Sequence, residues 1–111
     1  MSHTLPLKVK AIAYVTHGAR LLVFRHADFP AAGIQVPAGT VEEGEDPATA
    51  VLREAFEETG LSGLTLNALL GSDRVDMRRH GRDEIHARHF FHLLAPPDVP
   101  QRWRYLEMDA S

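Results

Sequence analysis

The chain contains no cysteine. That excludes a disulfide framework, thiolate zinc sites, iron–sulfur ligation and a cysteine nucleophile. No apolar run approaches the roughly 20 residues that span a bilayer. The opening MSHTLPLKVK has no apolar stretch of the kind a signal peptide needs. Basic charge is short as well. Twelve Lys and Arg stand against fifteen Asp and Glu, a net charge of −3, which argues against a sequence-independent nucleic-acid binder; no nucleic-acid duplex is expected as a partner. The chain has no P-loop, no GxGxxG, no EF-hand loop and no GxSxG. It has no internal repeat and no low-complexity tract. What remains is a globular composition: 111 residues, 44% hydrophobic and 24% charged. One domain, residues 1–111, with a modest core is the expectation. The default setting is cytoplasmic, with no membrane contact.

The pattern of apolar residues predicts strands, one helix, then strands. Lys8–Thr16 alternates like a strand with at least one buried face. His17–Arg20 reads as a turn and Leu21–Arg25 as the returning strand of a hairpin. Ala27–Gly33 is a loop, followed by a short strand over Ile34–Val36 that Pro37 stops. Gly39–Glu45 is a polar loop. Asp46-Pro47 then combines an N-cap residue with proline at the first helical position. This helix runs to about Thr59, with Gly60 as its stop. Ala48, Val51, Leu52, Ala55 and Thr59 form its buried stripe. Leu64–Leu70 reads as a strand that resumes over Asp73–Met77 after a break at Gly71. Arg78–Asp83 is a charged turn, and Glu84–Leu94 is the best strand of the chain. The order is an α/β or α+β arrangement rather than a regular βαβ alternation.

The informative segment is the helix. Glu54, Glu57 and Glu58 lie at i, i+3 and i+4, on one face at about 100° per residue. Like charges at this spacing destabilise a helix by a few tenths of a kcal/mol per pair. The macrodipole disfavours anions in the last turn by roughly 0.3–1 kcal/mol each. Arg53 offsets part of this through Glu57 at i, i+4, while Glu42, Glu43 and Glu45 in the preceding loop add more negative charge. A solvated acidic face is the ordinary explanation of such a pattern. A hard divalent cation is the other, because Mg²⁺ and Mn²⁺ take oxygen ligands.

The surrounding spacing decides between them. Gly39 is followed after five residues by Glu45, then after seven by Arg53-Glu54-Ala55, and after single gaps by Glu57-Glu58 and Gly60-Leu61. Nine specified positions across 23 residues resemble the Nudix box, the signature of the Nudix hydrolase family. Ala55 is the weakest match, since a larger aliphatic residue is usual there. The resemblance implies an α/β/α sandwich around a mixed sheet. It implies Mg²⁺- or Mn²⁺-dependent hydrolysis of a nucleoside diphosphate linked to another moiety. By position, Glu57 and Glu58 are the principal metal ligands. Glu54 binds a second metal or activates the attacking water. Arg53 and Glu45 form an orienting pair, and the Ala38 carbonyl is a backbone ligand. Glu107 is the first candidate for a further acidic ligand, with Asp83 and Glu84 as alternatives.

Other residues carry weaker signals. Arg78, Arg79 and Arg82 could clamp substrate phosphates, although a solvated turn is the favoured explanation. His86, His89 and His92 do not make a zinc site, because His89 points away from the other two on a strand. Phe29, Trp103 and Tyr105 could stack on a base or pack in the core. The chain is short for the family it resembles. Either its C-terminal helix is missing or another subunit covers the sheet, and a homodimer is the expectation. The competing function is a non-catalytic module that senses a nucleotide. An isomerase-like relative acting on an isoprenoid diphosphate ranks third.

Overall fold

The computed structural model describes residues 4–105. Strands β1 (Leu7–His17), β2 (Arg20–Leu21), β3 (Ala38–Thr40), β4 (Thr65–Asp76) and β5 (Ile85–Leu94) form one mixed sheet, with helix α1 (Pro47–Thr59) between β3 and β4. The strand order is β2-β1-β5-β4, and β3 also pairs with β1. The central pair, β1 and β5, is parallel; the other pairings are antiparallel. Strand β1 therefore touches three partners and carries the frame of the sheet.

The core lies between one sheet face and α1. Ala11, Ala13 and Val15 of β1 and Phe91 and Leu93 of β5 meet Ala50, Val51 and Ala55 of α1. Four of these eight residues are alanine, so the helix can lie close to the sheet. Ala55, small for its place in the box, is fully buried in this layer. Among the described residues α1 is the only α-helix, and the opposite sheet face carries no helix. That second face holds Tyr14 against Phe90, with ring centroids 6.2 Å apart, and the Arg88 guanidinium 5.1 Å from the Phe90 ring.

Both ends of α1 follow its sequence. The Asp46 carboxylate accepts from the Ala48 N–H at 3.1 Å, and Pro47 occupies the first turn. Gly60 adopts a left-handed conformation, φ 73°, and donates its N–H to the Phe56 carbonyl at 2.8 Å. The Trp103 indole N–H donates to the Thr59 carbonyl at 2.8 Å. A neutral donor thus meets a terminal carbonyl in the turn where acids crowd.

Several elements differ from the sequence reading. Of Leu21–Arg25 only Leu21 lies in a strand; Phe24 makes an isolated bridge to Gln35, so Ile34–Val36 is not a strand either. The strand falls instead on Ala38–Thr40, at the start of the expected polar loop. Propensity does not favour Ala-Gly-Thr, and pairing with β1 supplies what it lacks. Strand β4 runs through Gly71 without a break, accommodating it with register shifts at Leu66/Ala68 and Leu69/Gly71. Arg78–Asp83 begins with a tight helical turn over Met77–His80. In α1, Ala48 and Leu52 are only partly buried, whereas Ala50 and Glu54 are buried.

Gly60 tests this packing. A Cβ there would stand 2.5 Å from the Tyr105 ring, on a backbone L-residues rarely adopt. Gly60→Ala is expected to lower the unfolding free energy by about 1–3 kcal/mol in urea denaturation. Gly44→Ala, also left-handed at φ 78° but in open space, is expected to lose less.

Candidate active site

The site is built where α1 meets the outer edge of β3. Ladder bonds run from the Ala13 N–H to the Pro37 carbonyl and from the Val41 N–H to the Val9 carbonyl, each 2.8 Å. Strand polar groups alternate in direction. Ala38 and Thr40 therefore point their N–H and C=O groups away from β1, toward α1. The Ala38 N–H donates to Glu58 Oε1 at 2.7 Å, and the Thr40 carbonyl accepts from Arg53 Nη2 at 3.1 Å.

Arg53 is the hub. Its Nε donates to Glu45 Oε2 at 2.8 Å and its Nη2 to Glu45 Oε1 at 3.0 Å, a two-pronged contact. Its Nη1 donates to Glu54 Oε1 at 2.8 Å and to both Glu57 oxygens at 3.3 Å. Glu42 Oε1 stands 3.9 Å from the same nitrogen. Four carboxylates thus surround one guanidinium. Hydrogen bonds from Arg53 hold the Glu45 carboxyl down at about 2, helped by the Glu42 N–H. The same contacts, Glu45 first, raise the Arg53 pKa further.

Glu54 is buried although charged, because Arg53 pairs with it. Gly39 makes the room: a Cβ there would stand 2.0 Å from the Glu54 carboxyl carbon. The glycine of the box is therefore a steric requirement of the glutamate fifteen residues later.

Sequence reasoning missed Thr40 and Lys10. Lys10 Nζ donates to Thr40 Oγ1 at 2.7 Å, and partial burial lowers its pKa. Alternation was the available signal, since Lys10 sits opposite in phase to Ala11 and Ala13. The chain does not bring Arg78 and Arg79 to this cluster. Arg78 is tied to Asp76 through Nε and Nη2, and neither arginine contacts a box carboxylate among the described residues. Glu84 pairs with His86. His89 meets Ser72, and His92 meets Thr16 and Asn67. Asp83 is exposed in the turn before β5. Glu107 lies outside the described residues.

Among the described residues no three acidic or imidazole groups already form a cation cage; Glu42, Glu45, Glu54 and Glu57 turn toward Arg53, and Glu58 toward the Ala38 N–H. The donor set nonetheless suits a hard divalent ion. It consists of carboxylate oxygens and an outward backbone carbonyl, with more negative charge than one guanidinium balances.

The NUDIX domain model matches residues 5–107. The chain belongs to the Nudix family. Among solved structures, this Nudix chain resembles a NUDIX hydrolase from Nitrosomonas europaea, with a TM-score of 0.68, 26% identity, and 87% of this chain and 64% of that one covered. A MutT protein from Methanosarcina mazei shares the fold, with a TM-score of 0.67 at 18% identity over 96% of this chain and 77% of that one. Curated relatives match shorter stretches. An RNA pyrophosphohydrolase of Brucella ovis is 53% identical over 32 residues, 29% of this chain and 18% of that protein. One from Bartonella quintana is 42% identical over 50 residues, 44% of this chain and 29% of that protein. The chain thus spans less than a third of the length of the curated relatives it matches.

Two outcomes are expected for this Nudix site. Gly39→Ala should displace the Glu54 carboxylate and lower stability by about 1–3 kcal/mol in urea denaturation. The Glu45–Arg53 pair contributes stability that is complete above the ordinary Glu value of 4.5 and is lost as pH falls toward about 2. Acid titrations followed by circular dichroism should accordingly show a flatter response between those values for Glu45→Gln.

Proposed function

We propose that this chain hydrolyses the diphosphate linkage of a nucleoside diphosphate joined to another moiety, with water attacking phosphorus. The observation that carries this reading is the convergence of Glu42, Glu45, Glu54 and Glu57 on Arg53, beside the outward edge of β3. Glu57, Glu58, Glu54 and the Ala38 carbonyl are the residues that would hold Mg²⁺ or Mn²⁺. Bound there, such an ion would neutralise phosphate oxygens and acidify a water.

The chain's own groups do the rest. Glu54 is the base that takes the proton from the attacking water. Arg53 fixes the direction of the Glu54 and Glu57 carboxylates, and Glu45 fixes Arg53 in turn. The Ala38 N–H orients Glu58. A nucleotide-sensing module without turnover is the weaker reading, since such a module has no need of Glu54, Glu57 and Glu58 together.

Incubation with Mg²⁺ and a panel of nucleoside triphosphates, ADP-ribose, dinucleoside polyphosphates and nucleotide sugars tests this. Release of a nucleoside monophosphate is expected, reduced by at least about 100-fold in Glu57→Gln. Tight binding of a panel member without turnover of any would replace the hydrolase with the sensor.

A further inference from the structure

Thr40 is held by two cations. Arg53 Nη2 grips its carbonyl at 3.1 Å, and Lys10 Nζ grips its hydroxyl at 2.7 Å. Arg53 reaches it from α1. Lys10 lies directly across from Thr40 on β1, in opposite phase to Ala11, the core residue that meets α1. The two side chains therefore approach Thr40 from different sides of the strand.

Lys10 is a poor choice for the strand alone. Burial is the main influence that lowers its pKa; Arg82 and Lys8 act the same way, against Glu84 and Glu54. A lysine stem can usually extend and leave its charge in water. This one stays partly buried and meets a hydroxyl. A β-branched or aromatic residue would pair with Thr40 without that cost. Local choices that break such rules gather at functional sites.

Strand β3 shows what the lysine is for. It is three residues long, pairs with β1 alone among the described residues, and has glycine at its centre. Gly39 makes room for the Glu54 carboxylate, and it leaves the backbone between Ala38 and Thr40 soft. That backbone carries the carbonyl that Arg53 grips. Rigidity that glycine cannot supply comes from its neighbours: the Ala38 N–H donates to Glu58 on one side, and Lys10 holds Thr40 on the other.

We propose that Lys10 is a positioning residue of the active site: by tethering Thr40 it steadies the carbonyl that Arg53 grips, and through Arg53 the aim of the Glu54 and Glu57 carboxylates. The reaction it serves is the hydrolysis proposed above, on which this inference rests. The linkage from Lys10 through Thr40 and Arg53 to the two acids stands on its own contacts.

Two measurements separate the linkage from the reaction. In the metal-free protein, solvent exchange of the Arg53 Nε–H is followed by NMR. It is expected to quicken by about tenfold in Lys10→Met and in Thr40→Val. Lys10→Arg and Thr40→Ser, which keep a cationic donor and a hydroxyl, stay near the original rate, and Lys8→Met does not change it. Kinetics are then read with Mg²⁺ on whichever nucleotide of the panel is hydrolysed. Lys10→Met and Thr40→Val should each lower kcat by about tenfold, with KM held within about twofold. The double variant loses no more than either single one, because both cut the same tether. Lys10→Arg and Thr40→Ser recover most of the rate. Unchanged Arg53 exchange in Lys10→Met would overturn the tether whether or not any nucleotide is turned over. So would losses that multiply in the double variant, or a raised KM at constant kcat, which would make Lys10 a substrate contact. Quickened exchange in a chain that hydrolyses nothing would overturn the hydrolase reading, and with it this role for Lys10, while keeping the tether.

Discussion

One guanidinium holds the acidic site together. Without Arg53, the carboxylates of Glu45, Glu54 and Glu57 would face one another uncompensated, and Glu57 lies in the last turn of α1, where the helix dipole already disfavours an anion. With it, Glu54 can be buried and Glu45 stays ionised far below its usual range. Lysine could not replace it, since a single ammonium cannot present the separate nitrogens that reach Glu45, Glu54, Glu57 and the Thr40 carbonyl.

The fold serves this cluster through small residues. Alanines on β1 and α1 bring helix and sheet close, and Gly39 leaves a recess for the Glu54 carboxylate. The three-residue strand β3 turns the polar groups of Ala38 and Thr40 toward the helix, so backbone and side chains act on the same acids. A larger residue at position 55 would push the helix outward and loosen every one of these contacts.

Much of this was legible from residue spacing. Asp46, Pro47 and Gly60 mark the helix because each does a specific local job at a terminus. The strands β1 and β5 announce themselves by alternation. The strand at Ala38–Thr40 was hidden because its existence depends on β1, a partner distant in sequence. The buried face of α1 was misjudged for a related reason. An apolar stripe leaves out Glu54, a carboxylate that goes inside with Arg53 paired to it. The pairing of Arg78 with Asp76, two residues earlier, was likewise not read from the charged turn. Pairings across the fold leave no local signature, which is also why the contact between Lys10 and Thr40 appears only in three dimensions.

Among the described residues strand β4 pairs on one side only, and the way its residues are distributed along the other edge matters for solubility. Leu66, Leu69 and Leu70 are exposed where the ladder is interrupted by register shifts. The uninterrupted stretch, Gly71–Asp76, carries Asp73, Arg74 and Asp76. A stray chain looking for a template would find regular backbone only beside charges, and greasy side chains only beside irregular backbone. The strand can thus keep its leucines outward without inviting runaway stacking.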